Sequence, residues 1–394
     1  MSEVLAPPRP PETEAESPFL REEHVALRDQ LRRFIRSEIV PYAEGWEIDG
    51  MIPRHVLRRM GELGFLGVRY PAEFGGSEMD TTATAVLAEE LGRSTFGGFA
   101  ITVLVHTDMA SPHLANSGDP AQLARYMPGI ISGEMIAAVA VTEPDAGSDV
   151  ASIRTIARRD GDEWVLNGTK LYITNGVHGD VVFVAAKTDL AAKGSRGVSI
   201  FIVEAGTPGF TVGRALDKQG WRSSDTAELV LDECRIPAGN LLGAENRGFY
   251  AIMRNFQNER IVLGAQAMGE AQAALALTLD WVRQRKAFGG TLWDKQVIRQ
   301  RLSMLAARVE AARCLVYQAA WLDAQGRDCI REVSMVKALC GELVNEVMYA
   351  CQQFHGGMGY MRESAIERMV RDARIQSIGG GATEVMLEEV AKRL

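Results

Sequence analysis

The sequence predicts an α+β multidomain protein in which a helical domain, an antiparallel sheet or barrel, and a second helical domain follow one another. Three observations carry this. From Leu20 to about Ala137, apolar residues recur near helical spacing, as at Val25, Leu27, Leu31, Phe34, Ile35 and Ile39. From Met135 to near Gly243 the pattern becomes short β-branched and aromatic runs cut by Gly, Asp and Asn. Beyond Gly248, the stretch Met253–Gly290 lacks proline and is rich in strong helix formers, and it reads as one helix to about Arg285.

A chain of 394 residues has room for two or three domains and a sizeable core. Its 46% apolar and 24% charged residues are ordinary for a soluble globular protein. A net charge of −8 argues against a nucleic-acid partner, because no excess of cations is present to neutralise phosphates. The five cysteines show no CxxC pairing, and an odd count predicts reduced thiols. The six histidines form neither HxxxH nor HExxH, so no metal site is expected. No apolar run is long enough to span a bilayer. The first eighteen residues, with five prolines and four glutamates, read as a disordered leader without the character of a transit or secretory signal. A cytosolic location is expected.

In chain order, the helix beginning near Leu20 should end or kink at Pro41. HVLRRMGELGFLGV is a second helix interrupted by glycines, Thr81 to Gly92 begins a third, and five or six helices are expected before the sheet. The segment MIAAVAVTEPDAGSDV starts as a strand and breaks into a loop. Asn167-Gly168 predicts a hairpin turn, since both residues of that turn type take positive φ. The second helical region is broken at FGGTLWD, AQGRDCI, HGGMGYMRE and IGGGATE.

Glu259 is the candidate catalytic group. Its helical neighbours are Asn255, Phe256, Val262 and Leu263, none of them a cation. A carboxylate in apolar surroundings is disfavoured as an ion, so its pKa should rise and make it a proton acceptor. The competing reading is an exposed pair with Arg260. Elsewhere, VTEPDAGSD (Val141–Asp149) is a loop of closely spaced amides and hydroxyls after a strand, able to cradle an anion or the polar edge of a flavin. Tyr172 and Thr174 in YITNG should share one strand face, where a ring and a hydroxyl suit a flat heteroaromatic group. RQRKAFG places cations beside an aromatic at a helix end, which suits either the helix dipole or a diphosphate. GxGxxG, GxxxxGK[ST] and GxSxG are absent.

Taken in order, VTEPxAGSD, KxYITNG, NER, RKAFG, Q, QxxGGxGY and RDARIxxIGGGATE resemble the acyl-CoA dehydrogenase family over essentially the whole chain after about Leu20. The resemblance implies an N-terminal α-helical domain (20–137) after the leader (1–19), a middle antiparallel β-barrel domain (138–247) and a C-terminal four-helix bundle (248–394), usually in a homotetramer. It implies FAD as cofactor, α,β-dehydrogenation of an acyl-CoA thioester to the trans-2-enoyl-CoA, and electron-transferring flavoprotein as electron partner. Val141, Thr142, Gly147 and Ser148 would lie near the flavin or the thioester. Tyr172 stands where relatives commonly have Trp, and Thr174 where a hydroxyl bonds flavin N5. Arg285, Phe288, Gln296, Gln353 and Gly357 would hold the diphosphate and adenosine across a subunit boundary. Arg260 matches an arginine near the CoA moiety, whereas Gln257 replaces an aspartate often found there.

Most relatives carry the base in an IYEGT motif, and the corresponding segment here is Ile378-Gly379-Gly380-Gly381-Ala382, with Gly380 at the base position. The isovaleryl-CoA and long-chain branches instead use a glutamate in an ER dipeptide on the long helix, which Glu259-Arg260 matches. Gly381 is assigned as the backbone donor to the thioester oxygen. Gly380 is expected to leave volume for a longer or branched chain, and to accept a relocated glutamate in a Glu259→Gln background. An acyl-CoA oxidase, or a non-catalytic acyl-CoA- or flavin-binding subunit, is the alternative.

Overall fold

The computed structural model describes residues 17–192 and 194–394. Most of the expected leader lies outside the described residues. Phe19 and Leu20, at its end, already pack against the core.

The first domain contains seven α-helices: α1 (Glu22–Phe34), α2 (Ala43–Asp49), α3 (Arg54–Glu62), α4 (Thr81–Arg93), α5 (Gly97–Leu104), α6 (Ser111–Ser117) and α7 (Pro120–Ile131). This exceeds the five or six expected. The difference arises partly at Gly97–Leu104, which is buried on every side and therefore shows no amphipathic period. Wide π-turns follow α1 (Ile35–Ile39) and α5 (Val105–Ala110). Pro41 lies in the turn between the first of these and α2.

The sheet domain comprises β1 (Ala137–Ala140), β2 (Ile156–Asp160), β3 (Glu163–Thr174), β4 (Val181–Lys187), β5 (Val198–Glu204), β6 (Phe210–Ala215), β7 (Thr226–Pro237) and β8 (Leu241–Leu242). Their order is β6-β7-β3-β2-β4-β5-β8, with β1 beside β4. Most pairings are antiparallel as expected, but β1 and β2 both run parallel to β4. Strand type cannot be read from side-chain alternation alone, because alternation is the same in both pairings.

Asn167-Gly168 is not a hairpin turn. It lies inside β3, at a bulge opposite β7. A Cβ on Gly168 would collide with Thr155, so glycine is needed there for close approach. The β2–β3 turn instead falls at Gly161-Asp162, between the paired Asp160 and Glu163.

The C-terminal domain is built from α8 (Gly248–Gln284), the small hairpin β9 (Lys286–Ala287) and β10 (Gly290–Thr291), then α9 (Gln296–Ala324), α10 (Ile330–His355), α11 (Ala365–Ala373) and α12 (Thr383–Ala391). The long helix ends within a residue of its expected position. α4 lies directly on α8, where Gly92 and Gly269 let the two backbones approach through Gln266 and Glu89. One apolar core therefore runs through both helical domains and encloses the middle of α8.

Candidate active site

Glu259 lies in the second quarter of α8 and is only 7% exposed. Its Oε1 accepts a hydrogen bond of 3.1 Å from Asn255 Nδ2, one helical turn back. Asn255 itself is anchored by donating to the backbone oxygens of Asp108 and Met109. Burial pushes the Glu259 carboxyl up to about 8, and neither the Asn255 hydrogen bond nor the charge of Arg260 offsets it. The exposed-pair reading is therefore overturned.

Arg260 is held over the Phe256 ring at 5.6 Å, and its Nε is buried without a hydrogen-bond partner. Burial lowers its pKa from the usual guanidinium value. That nitrogen lies 3.6 Å from where a Cβ on Gly381 would stand, so α8 and the glycine turn after α11 face each other here. Gly381 takes φ +106, and its carbonyl oxygen accepts from Lys337 Nζ of α10 at 3.1 Å.

Gly380, at φ +65, is exposed, yet the direction a side chain would take from it is not open. A Cβ there would overlap the Leu263 Cδ1 methyl. The expected unfilled volume is already occupied, because Leu263 lies one turn beyond Glu259 on the same helix face.

A second buried carboxylate, Glu270, also lies on α8 and is likewise raised to about 8 by burial. Gln266 donates to it at 2.8 Å and Gln376 approaches both its oxygens at 3.5 Å. An elevated pKa therefore does not single out Glu259. Their positions differ: Glu259 shares a helix turn with Arg260 and Leu263, which face Gly381 and Gly380, whereas Glu270 sits beside the α4 crossing and meets Gln376 before the glycines.

The 141–148 loop leaves β1 with Val141 and Thr142 half-buried, and Gly147 and Ser148 exposed. Beneath it lies a pair that sequence reasoning missed. Lys170 of β3, fully buried, donates to Val141 O at 3.1 Å and to Glu143 Oε1 at 2.7 Å. Glu143 also accepts from the backbone amides of Arg154 and Thr155. Burial would raise the Glu143 carboxyl, but Lys170 and these donors win and hold it low, while burial brings Lys170 down to about 8. A cation inside a strand was the available signal.

Tyr172 and Thr174 do not follow simple alternation. Tyr172 sits at a β3 bulge with φ +62 and is 66% exposed, while Thr174 is half-buried at the strand end. Left-handed backbone at an aromatic residue is strained and re-aims the side chain. Phe288 shares this property, with φ +54 and 92% exposure. It forms with Gly289 the two-residue turn of the β9–β10 hairpin, whose two positive φ values match strand twist.

Arg285, Phe288, Gln296, Gln353 and Gly357 are all exposed. The end of α8 and the end of α10 are brought together by Trp281, whose Nε1 donates to Phe354 O at 3.0 Å and whose ring stacks on His355. The Arg285 guanidinium lies over the same indole. Gly356 and Gly357 have open space where a Cβ would be, as does Gly147. An exposed ring, bare loop backbone and a cation beside a glycine cradle fit a flavin and its diphosphate. Among the described residues there is no cluster able to hold a metal ion, and no helix is long and apolar enough to cross a membrane.

By its likeness to known enzymes, the chain is an oxidoreductase acting on the CH–CH group of an acyl-CoA. The chain belongs to the acyl-CoA dehydrogenase family: it matches that family's N-terminal domain over residues 21–134, middle domain over 138–234 and C-terminal domain over 246–394. The family is FAD-dependent. The chain is 39% identical over 373 residues to the long-chain specific acyl-CoA dehydrogenase of Rattus norvegicus, covering 94% of this chain and 86% of that protein. It is 37% identical over 371 residues to isovaleryl-CoA dehydrogenase of Pongo abelii, covering 93% and 87% respectively. The crystal structure of acyl-CoA dehydrogenase from Geobacillus kaustophilus superposes with a TM-score of 0.92 at 39% identity, covering 96% of this chain and 99% of that one.

Proposed function

We propose that the protein converts an acyl-CoA thioester to the trans-2-enoyl-CoA with Glu259 as general base. The observation that carries this is the place of the buried Glu259 carboxyl, held by Asn255 on the stretch of α8 whose Arg260 and Leu263 meet the Gly380–Gly381 turn. A carboxylate raised to about 8 is basic enough to take an α-proton, and near neutral pH a minor fraction of molecules carries it ionised. The α C–H bond breaks with its proton passing to a Glu259 oxygen. Charge developing on the thioester oxygen is met by the Gly381 amide, with Arg260 close behind the turn. Bound FAD supplies the acceptor for the hydride leaving the β-carbon. Val141, Thr142, Gly147, Ser148, Tyr172 and Thr174 would hold the ring system, with Ser148 also near the thioester and Arg260 near the CoA moiety of the substrate.

Arg285, Phe288, Gln296, Gln353 and Gly357 would hold the diphosphate and adenosine of a neighbouring protomer's cofactor. Support comes from the length of α8: from Glu259 to its end is roughly 40 Å at 1.5 Å per residue. Val141 and Phe256 pack against one apolar cluster at the near end, whereas Arg285 is at the far end. One cofactor cannot serve both in one protomer, so a homo-oligomer, in the family pattern a tetramer, completes the site. With domain limits of 20–137, 138–247 and 248–394, the base would lie where the first and last domains meet, since its neighbour Asn255 bonds Asp108 and Met109. Electrons pass to electron-transferring flavoprotein, and a cytosolic location accords with five free cysteines. A long or branched acyl chain is the substrate class, in line with the long-chain and isovaleryl relatives.

Anaerobic mixing of the flavin-loaded protein with a panel of acyl-CoAs tests this. Flavin bleaching is expected with long or branched chains, and Glu259→Gln should slow it by at least about 10²-fold. Exchange of the substrate's α-hydrogen with deuterium should also fail, since exchange needs the base alone. Bleaching by Glu259→Gln at the wild-type rate would move the base elsewhere.

A further inference from the structure

The ammonium of Lys337 is buried in the C-terminal domain, in the apolar run Val333–Val344 of α10, with 2% exposure. Its Nζ donates to two backbone oxygens, Gln376 O at 2.5 Å and Gly381 O at 3.1 Å. These two carbonyls bracket the turn that contains Gly379, Gly380 and the Gly381 amide. A glycine turn has little conformational preference of its own, so something else must fix the direction of its amides. Gly380 at φ +65 and Gly381 at φ +106 lie in regions that a free chain samples along with many others. Ile375 O holds the Ile378 and Gly379 amides at 2.9 Å, and Thr383 donates to Glu342 at 2.9 Å and contacts Ser377 O at 3.4 Å, but none of these bonds reaches the Gly380 or Gly381 amide.

We propose that Lys337 is a positioning residue that clamps both ends of this turn and so aims its amide at the thioester oxygen. The inference rests on the reading above, which puts that oxygen at Gly381. The clamp has a second consequence. Lys337 and Arg260 place two cationic side chains beside one peptide turn, with Lys337 Cε 3.8 Å from the Cβ position of Gly380 and Arg260 Nε 3.6 Å from that of Gly381. Negative charge on a nearby oxygen is favoured by both. A cation buried only for packing would be replaceable by an apolar side chain of similar length without effect on bound thioester.

Lys337→Met makes that replacement. Flavin-loaded wild type and variant are each mixed with trans-2-octenoyl-CoA labelled with carbon-13 at the thioester carbonyl, and the carbonyl stretch is read by infrared difference spectroscopy. The wild type should shift the stretch to lower frequency. Lys337→Met should retain flavin and bind the enoyl-CoA within about threefold, yet lose most of the shift, with kcat down by about 10²-fold, as for loss of an oxyanion donor, and KM little changed. A wild-type carbonyl shift in Lys337→Met overturns the proposal. If the methionine variant does not fold, Lys337→Gln, which reaches at most one of the two carbonyls, is read by the same criterion. Glu259→Gln is run in parallel: if the wild type itself shows no carbonyl shift, the placement of the thioester at this turn fails and the clamp falls with it. If Glu259→Gln is inactive and Lys337→Met keeps the shift, only the clamp is wrong.

Discussion

Leu263 occupies the space that any side chain at Gly380 would need, with its Cδ1 methyl where a Cβ would stand. Gly380 also holds φ +65, which L side chains rarely adopt. The turn and the helix are therefore matched as a pair: glycine in the turn, leucine one helical step beyond the base.

The relocation of the base follows from this. Glu259→Gln with Gly380→Glu should recover no flavin reduction, contrary to what the sequence alone leads one to expect. Adding Leu263→Ala should recover part of it with unbranched acyl-CoAs, measured by anaerobic stopped flow. Leu263→Ala by itself should lower stability by about 2–5 kcal/mol, as for other buried leucines. Recovery in the double variant without the third change would show that Leu263 moves aside freely.

The pH dependence of catalysis reports on Glu259. The base must be ionised, and its folded pKa is raised to about 8 by burial. kcat/KM should therefore fall about tenfold per pH unit below that value and level off above it. Stability runs the other way. The native carboxyl keeps its proton up to about 8, whereas the unfolded chain releases it near 4.3. Wild-type stability should thus decline as pH rises between those limits, and Glu259→Gln should remove that part of the decline. Urea midpoints of the two proteins at pH 5 and pH 8 check it.

Cofactor retention should depend on the far end of α8. Arg285→Ala would remove a charge-assisted partner from a diphosphate, a loss of about 1.5–3 kcal/mol. Phe288→Gly would relieve the φ +54 strain at the hairpin tip but delete the exposed ring. Both should lose flavin on dilution faster than wild type, as followed by flavin absorbance after gel filtration. Retention at the wild-type level would leave Arg285 as a helix-end charge stacked on Trp281.

The support beneath the 141–148 loop should be asymmetric to mutation. Lys170→Met strands a buried Glu143 carboxylate and should cost about 3–5 kcal/mol. Adding Glu143→Gln should return part of that, since the uncompensated charge is gone. A double-mutant cycle on urea unfolding measures the coupling. Additive effects would mean that the backbone amides of Arg154 and Thr155 suffice to hold the loop.

The order helices–sheet–helices, the extent of α8 and the candidacy of Glu259 were legible in the sequence. Each depends on neighbours within a few residues, where helical and strand periods act directly. Glu259 could be singled out because Phe256, Val262 and Leu263 are fixed beside it by the helix itself. Features that depend on a distant partner were not legible. Asn167-Gly168 carries the signal of a turn, yet it forms a bulge because Thr155 presses on it. β1 and β2 read as members of an antiparallel sheet but lie parallel to β4. Gly380 reads as empty space until Leu263, more than a hundred residues earlier, is seen to fill it. Lys337 reads as a lone cation in an apolar helix until Gln376 and Gly381 turn their carbonyls towards it. Local sequence sets which way a segment winds and which face is apolar. Only packing decides what stands opposite that face, and at this site the opposite wall is a glycine turn with almost no preference of its own.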